Sequence, residues 1–93
     1  MQFSGEVIYW RGPSPWHFVE VPDDESELLD ANAPALSYGW GCIPVRAEIA
    51  GVAFRTSLFP RDGRYMLPVK AEVRRRARIG LGDVVDVAML AGD

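Results

Sequence analysis

The feature that most constrains this chain is a pattern written twice with little identity. In the first half a strand and a Pro/Gly turn lead to Trp16–Pro22, an acidic helix, a loop and a strand, Ile43–Ile49. In the second half a strand and turn lead to Arg64–Pro68, a basic helix, a Gly-Asp turn and the strand Val84–Leu90. Two units of strand, turn, strand, helix, strand can close a barrel by pairing each unit's strands with the other's, which removes exposed sheet edges. The expectation is a mainly β fold: one domain over residues 1–93, a six-stranded, pseudo-twofold barrel with two short helices.

The strands follow from alternation of period two. Met1 to Trp10 sets Phe3, Gly5, Val7 and Tyr9 against Glu6, Ile8 and Trp10. Residues 11–15 have turn composition, so Trp16–Val21 should complete a hairpin. Pro22 stops that strand, and Asp23, Asp24 and Glu25 supply a cap and first-turn carboxylates for a short helix through Leu29. Ala31 to Gly41 reads as an irregular loop. Cys42–Ile49 and Val52–Phe59 follow as strands joined at Gly51. Pro60-Arg61-Asp62-Gly63 reads as a four-residue turn, with Asp-Gly the hairpin signal.

Pro68 suits the first turn of the second helix. Val69, Val73 and Ala77 then fall on one helical face, and Gly80 reads as its left-handed stop. Lys70, Glu72, Arg74, Arg75, Arg76 and Arg78 take the rest of that surface. The plain reading is a solvated face; the alternative is a basic patch that holds phosphate or carboxylate. In the last strand Val85, Val87 and Met89 should face the core.

At 93 residues, with 48% apolar and 25% charged residues, the chain can bury a modest core. A net charge of −3 and a pI near 5.0 speak against a general nucleic-acid binder. Eight of the ten Lys and Arg nevertheless lie between Arg55 and Arg78. A single cysteine, Cys42, leaves no disulfide framework and reads as a buried thiol in a reducing cytoplasm. No apolar run approaches a membrane span, and Met1–Trp10 alternates too regularly for a signal peptide.

Catalytic chemistry finds little to use. His17 is the single histidine and reads as a surface or packing residue. Ser57 lacks a nucleophile-elbow setting, and no His/Cys/carboxylate cluster has metal-ligand spacing, so neither cofactor nor metal is expected. Gly80-Leu81-Gly82 is too short to cradle a phosphate. Asp62 and Asp83 read as turn residues whose side chains bond the backbone. Arg55, Lys70 and Arg74 are the candidate anion site, with Trp40 as a core plug or pocket wall. The plainer reading pairs those cations with Glu48, Glu72 or Asp83.

Several ordered motifs carry a resemblance. They are Trp16-x-Phe18-Val19-x-Val21-Pro22, Trp40-Gly41-x-Ile43-Pro44-Val45, Thr56-Ser57-Leu58-Phe59-Pro60, Gly63-x-Tyr65-x-Leu67-Pro68-Val69-Lys70, Val73-Arg74 and Gly82-Asp83-x-Val85. Together they resemble a bacterial domain-of-unknown-function family, number nineteen-oh-five, over nearly the whole chain. The resemblance implies a double-split β-barrel, sometimes fused to a bacteriocin-protection-like module, and brings no activity with it. Leu67-Pro68-x5-Arg74 with Ile79-x-x-Gly82-Asp83-x-Val85 is also similar to the half-barrel of AbrB/MazE-type regulators and antitoxins. That likeness implies DNA binding by Arg74, Arg75, Arg76 and Arg78.

Three functions are therefore carried forward. The preferred one is a non-enzymatic cytoplasmic binding or interaction module with a protein or small-molecule partner. The second is an AbrB-like nucleic-acid binder. The third is a small-anion binder or enzyme with a pocket near Trp40, Arg55 and Lys70. The expected state is a monomer or weak homodimer, with Trp10, Trp16 or Trp40 as interface candidates if exposed.

Overall fold

The computed structural model describes residues 1–10, 16–36 and 42–91, with 32–36 described by their backbone alone. Its strands are β1 (Gln2–Trp10), β2 (Trp16–Glu20), β3 (Ile43–Ile49), β4 (Val52–Arg61), β5 (Arg64–Pro68) and β6 (Val84–Ala91). Helix α1 (Asp23–Leu36) follows β2, and α2 (Ala71–Ala77) follows β5. All six strands pair antiparallel in a closed barrel ordered β1-β2-β5-β4-β3-β6.

The duplication extends to the register. Ile8 opposite Phe18 and Trp10 opposite Trp16 in the first half match Phe59 opposite Met66 and Arg61 opposite Arg64 in the second. Phe3–Val87 and Gly5–Val85 across β1–β6 match Phe54–Ala47 and Thr56–Val45 across β4–β3. The pseudo-twofold passes through the Val19–Leu67 pair on one side and the Glu48–Ala88 pair on the other. The halves interlock, because β3 is flanked by β4 and β6, and β6 by β1 and β3.

Alternation fills the interior. Ile43, Val45, Ala47 and Ile49 point inward, as do Val85, Val87 and Met89, and all belong to one buried apolar cluster. The barrel lumen is therefore packed with side chains, as small barrels require. On the outside, Phe18 is fully buried in a second cluster, with ring centroids 5.1 Å from Phe59 and 6.2 Å from Trp10. The Arg61 guanidinium lies 4.6 Å above Trp10 and covers it through a cation–π contact. Gly5 permits a close approach in the wall: a Cβ there would meet Val19 Cγ1 at 2.6 Å.

Four local expectations are corrected. First, α1 runs on to Leu36 through what reads as loop, because the Ala-rich segment 31–36 favours helix despite Pro34. Residues 37–41, including Trp40, and the turn at 11–15 lie outside the described residues. Second, β4 continues to Arg61, so the turn is only Asp62 (φ 51°) and Gly63 (φ 81°). Ala50 (φ 51°) and Gly51 (φ 79°) turn β3 into β4 in the same way. Two positive φ values fit type I′ turns, whose twist matches that of the hairpin strands.

Third, Pro68 ends β5 instead of opening α2. The Val69 N–H donates to the His17 carbonyl at 2.9 Å and the Val21 N–H to Tyr65 at 2.9 Å, so Phe18–Pro68 is the intervening pair without ladder bonds. Proline loses nothing there. Fourth, α2 stops two residues early, with Arg78 (φ 57°, ψ 45°) instead of Gly80 in the left-handed conformation. The Ile79 N–H bonds the Arg74 carbonyl at 3.0 Å and the Arg78 N–H bonds Arg75, a Schellman closure with arginine where glycine is usual. Gly80 is left free to donate to Asp83 Oδ2 at 2.8 Å, the turn role expected of Asp83.

Candidate anion-binding site

The β2–β5 ladder determines which residues meet. Because the Val69 N–H bonds the His17 carbonyl, the start of α2 lies beside the hairpin end of β2. Trp16, His17, Val69, Lys70, Ala71 and Arg74 line a surface depression of about 280 Å³. Tyr9, opposite His17 in β1, tilts its ring against the imidazole at a centroid distance of 4.8 Å. Trp16 is 40% and Tyr9 42% exposed, so aromatic surface stands open at the rim.

Arg74 is half-buried, with its Nη1 donating to the Val69 carbonyl at 2.5 Å. That bond anchors the guanidinium at one end and uses one of its five donors. Lys70 is exposed at the N-cap position, where it makes no side-chain cap. Among the described residues neither cation is in an ion pair: the carboxylates engaged are Asp62 by Arg61, and Glu20 and Asp23 by Arg64. Burial, and then the Arg74 charge, lower the His17 pKa from its ordinary value, favouring neutral imidazole.

This arrangement brings together two of the expected site residues, Lys70 and Arg74. Arg55 lies elsewhere, exposed on the outer face of β4 and directly opposite Arg46 of β3. Strand β4 does pack against α2, but Arg55 is absent from the depression's lining. Arg75, Arg76 and Arg78 are exposed around α2. Cys42 is a free, half-buried thiol, less enclosed than its apolar neighbours imply. No group of three His, Cys, Asp or Glu side chains among the described residues could hold a metal ion. Among the described residues no helix is long and apolar enough to cross a membrane.

Sequence reasoning missed Trp16 and His17 as walls of this site. Their signal was present in the duplication: pairing β2 against β5 about its own symmetry places residue 17 beside residue 69.

The structure defines a small closed antiparallel barrel of two interlocked halves, with a cation- and aromatic-lined depression where β2 meets the start of α2. The profile of the family described as Domain of unknown function (DUF1905) matches residues 3–89, and the chain belongs to that family. No curated protein matches the chain.

Proposed function

We propose that the barrel is a non-enzymatic binding module whose ligand presents a phosphate or carboxylate to Lys70 and Arg74. The observation that carries this reading is the meeting of those two cations, without ion-pair partners among the described residues, in a depression walled by Trp16 and His17. A guanidinium with donors to spare suits a planar or tetrahedral oxyanion. The packed lumen directs a ligand to this outer surface. The free thiol of Cys42 suits a reducing cytoplasm.

Titration of the folded protein with inorganic phosphate and with a nucleoside monophosphate, followed by amide shifts, tests the proposal. Saturable shifts at residues 16–17 and 69–74 are expected. Lys70→Glu should weaken binding about tenfold or more, equivalent to at least about 1.4 kcal/mol. Arg55→Glu should leave it unchanged. Loss of binding with Arg55→Glu, or no saturable shift in wild type, overturns this reading.

The exposure of Arg75, Arg76 and Arg78 beside Arg74 favours a second reading, AbrB-like binding of nucleic acid along α2. It requires affinity for duplex DNA that falls steeply with salt and is lost on charge reversal of Arg75 and Arg76.

A further inference from the structure

The outer wall formed by β4, β3, β6 and β1 separates its charges by sign. At one end Arg46 stands opposite Arg55, both exposed and without an ion pair among the described residues. Like charges directly opposed across a ladder repel. The pseudo-twofold carries this pair onto Asp86 and Ser4 at the other end, where Ser4 Oγ donates to Asp86 Oδ1 at 2.5 Å. Glu48, paired with Ala88, lies at the symmetry point between them. The face is thus cationic at one end and anionic from its middle to the other.

Apolar surface is mixed into this pattern. Leu90, beside Arg46, is 69% exposed, and Val84, beyond Asp86, is 73% exposed. A shallow depression of about 340 Å³ runs along this face, lined in part by Met1, Ala53, Ala88 and Leu90.

We propose that this wall is a self-association surface and that its occupant is a second copy of the chain. A two-fold axis lying in the face and crossing the strands lays the Arg46–Arg55 end of each copy over the Glu48–Asp86 end of the other. A small anion drawn to the arginines would meet Glu48 and Asp86 on the same surface; a second copy answers both signs and covers Leu90. The wall, four strands at ~4.8 Å by about six residues at ~3.3 Å, covers roughly 400 Å², small beside the ~800 Å² per partner of standard interfaces, so the dimer is weak. Its attraction is between exposed charges, so it is salt-sensitive.

Sedimentation of the intact protein from about 10 µM to about 1 mM, at low and high salt, tests this. The weight-average mass should climb toward twice the monomer at low salt and fall back at high salt. Arg46→Glu with Arg55→Glu should weaken association at least tenfold, as should Glu48→Arg with Asp86→Arg. A one-to-one mixture of the two double variants should restore it. If either variant fails to fold by circular dichroism, concentration-dependent amide shifts in wild type decide instead. Shifts confined to this wall support the proposal, and shifts elsewhere overturn it. A monomer at every concentration also overturns it and returns the arginine pair to an acidic partner of another kind, as does a dimer indifferent to both charge swaps.

Discussion

At His17 partial burial and a neighbouring guanidinium act on one titration. Burial and the Arg74 charge both disfavour the imidazolium, so the folded pKa lies below that of the unfolded chain, which is about 6.5. Above that pH both states hold neutral imidazole. As pH falls through it, the unfolded chain takes up the proton first, so folding stability declines down to the folded pKa. Urea midpoints should therefore drop as pH falls through about 6.5, and His17→Gln should flatten that slope. An identical slope in the variant would assign it to other groups. Residues of this kind differ in how legible they are. Asp62-Gly63 announces its turn, because both types favour positive φ. Ala50 and Arg78 do not: each sits in the left-handed region at a cost of about 1–2 kcal/mol that the surrounding ladder or helix closure imposes.

Helices α1 and α2 dock through equivalent latches made from different chemistry. In the first half, Ser26 Oγ donates to the Val21 carbonyl at 2.9 Å and accepts the Tyr65 N–H at 3.3 Å. In the second, Arg74 Nη1 reaches the matching Val69 carbonyl. The helical bonds agree as well, Ser26 N–H to Pro22 and Arg74 N–H to Lys70. Ser26 is 3% exposed, so Ser26→Ala strands two backbone groups away from water and should cost about 1–3 kcal/mol in a urea melt. Ser26→Thr, which keeps the hydroxyl, should recover part of that loss, and equal losses in both variants would point to packing. The acidic first turn of α1 gives its start away, yet nothing in Ser26 itself distinguishes a latch from an exposed helical serine. Its burial comes from Tyr65, 39 residues away.

Interlocking governs the behaviour of the whole barrel. Both neighbours of β3 belong to the second half, and both neighbours of β6 to the first. Neither half can therefore complete its own ladder. Fragments 1–50 and 51–93, made separately, should each be unfolded as monomers and should regain the amide spectrum of the intact chain when mixed one to one. A half that folds as a monomer would contradict the topology. Alternation and the repeated order make the six strands and their closure readable from the chain. The site is readable only in part, since Lys70 and Arg74 share a helix, whereas Arg55 shares nothing with them until β4 has a place and a facing direction. There the register sets it against Arg46 instead. Joining both halves in one chain also has a consequence for what the surface can carry. Two identical copies closing the same ladder would have to repeat every side chain at both equivalent positions. A tethered pair is released from that obligation, and this chain uses the freedom: hydroxyl against guanidinium at the latches, arginine against aspartate across the wall. Its asymmetry is a division of labour that strict duplication would forbid.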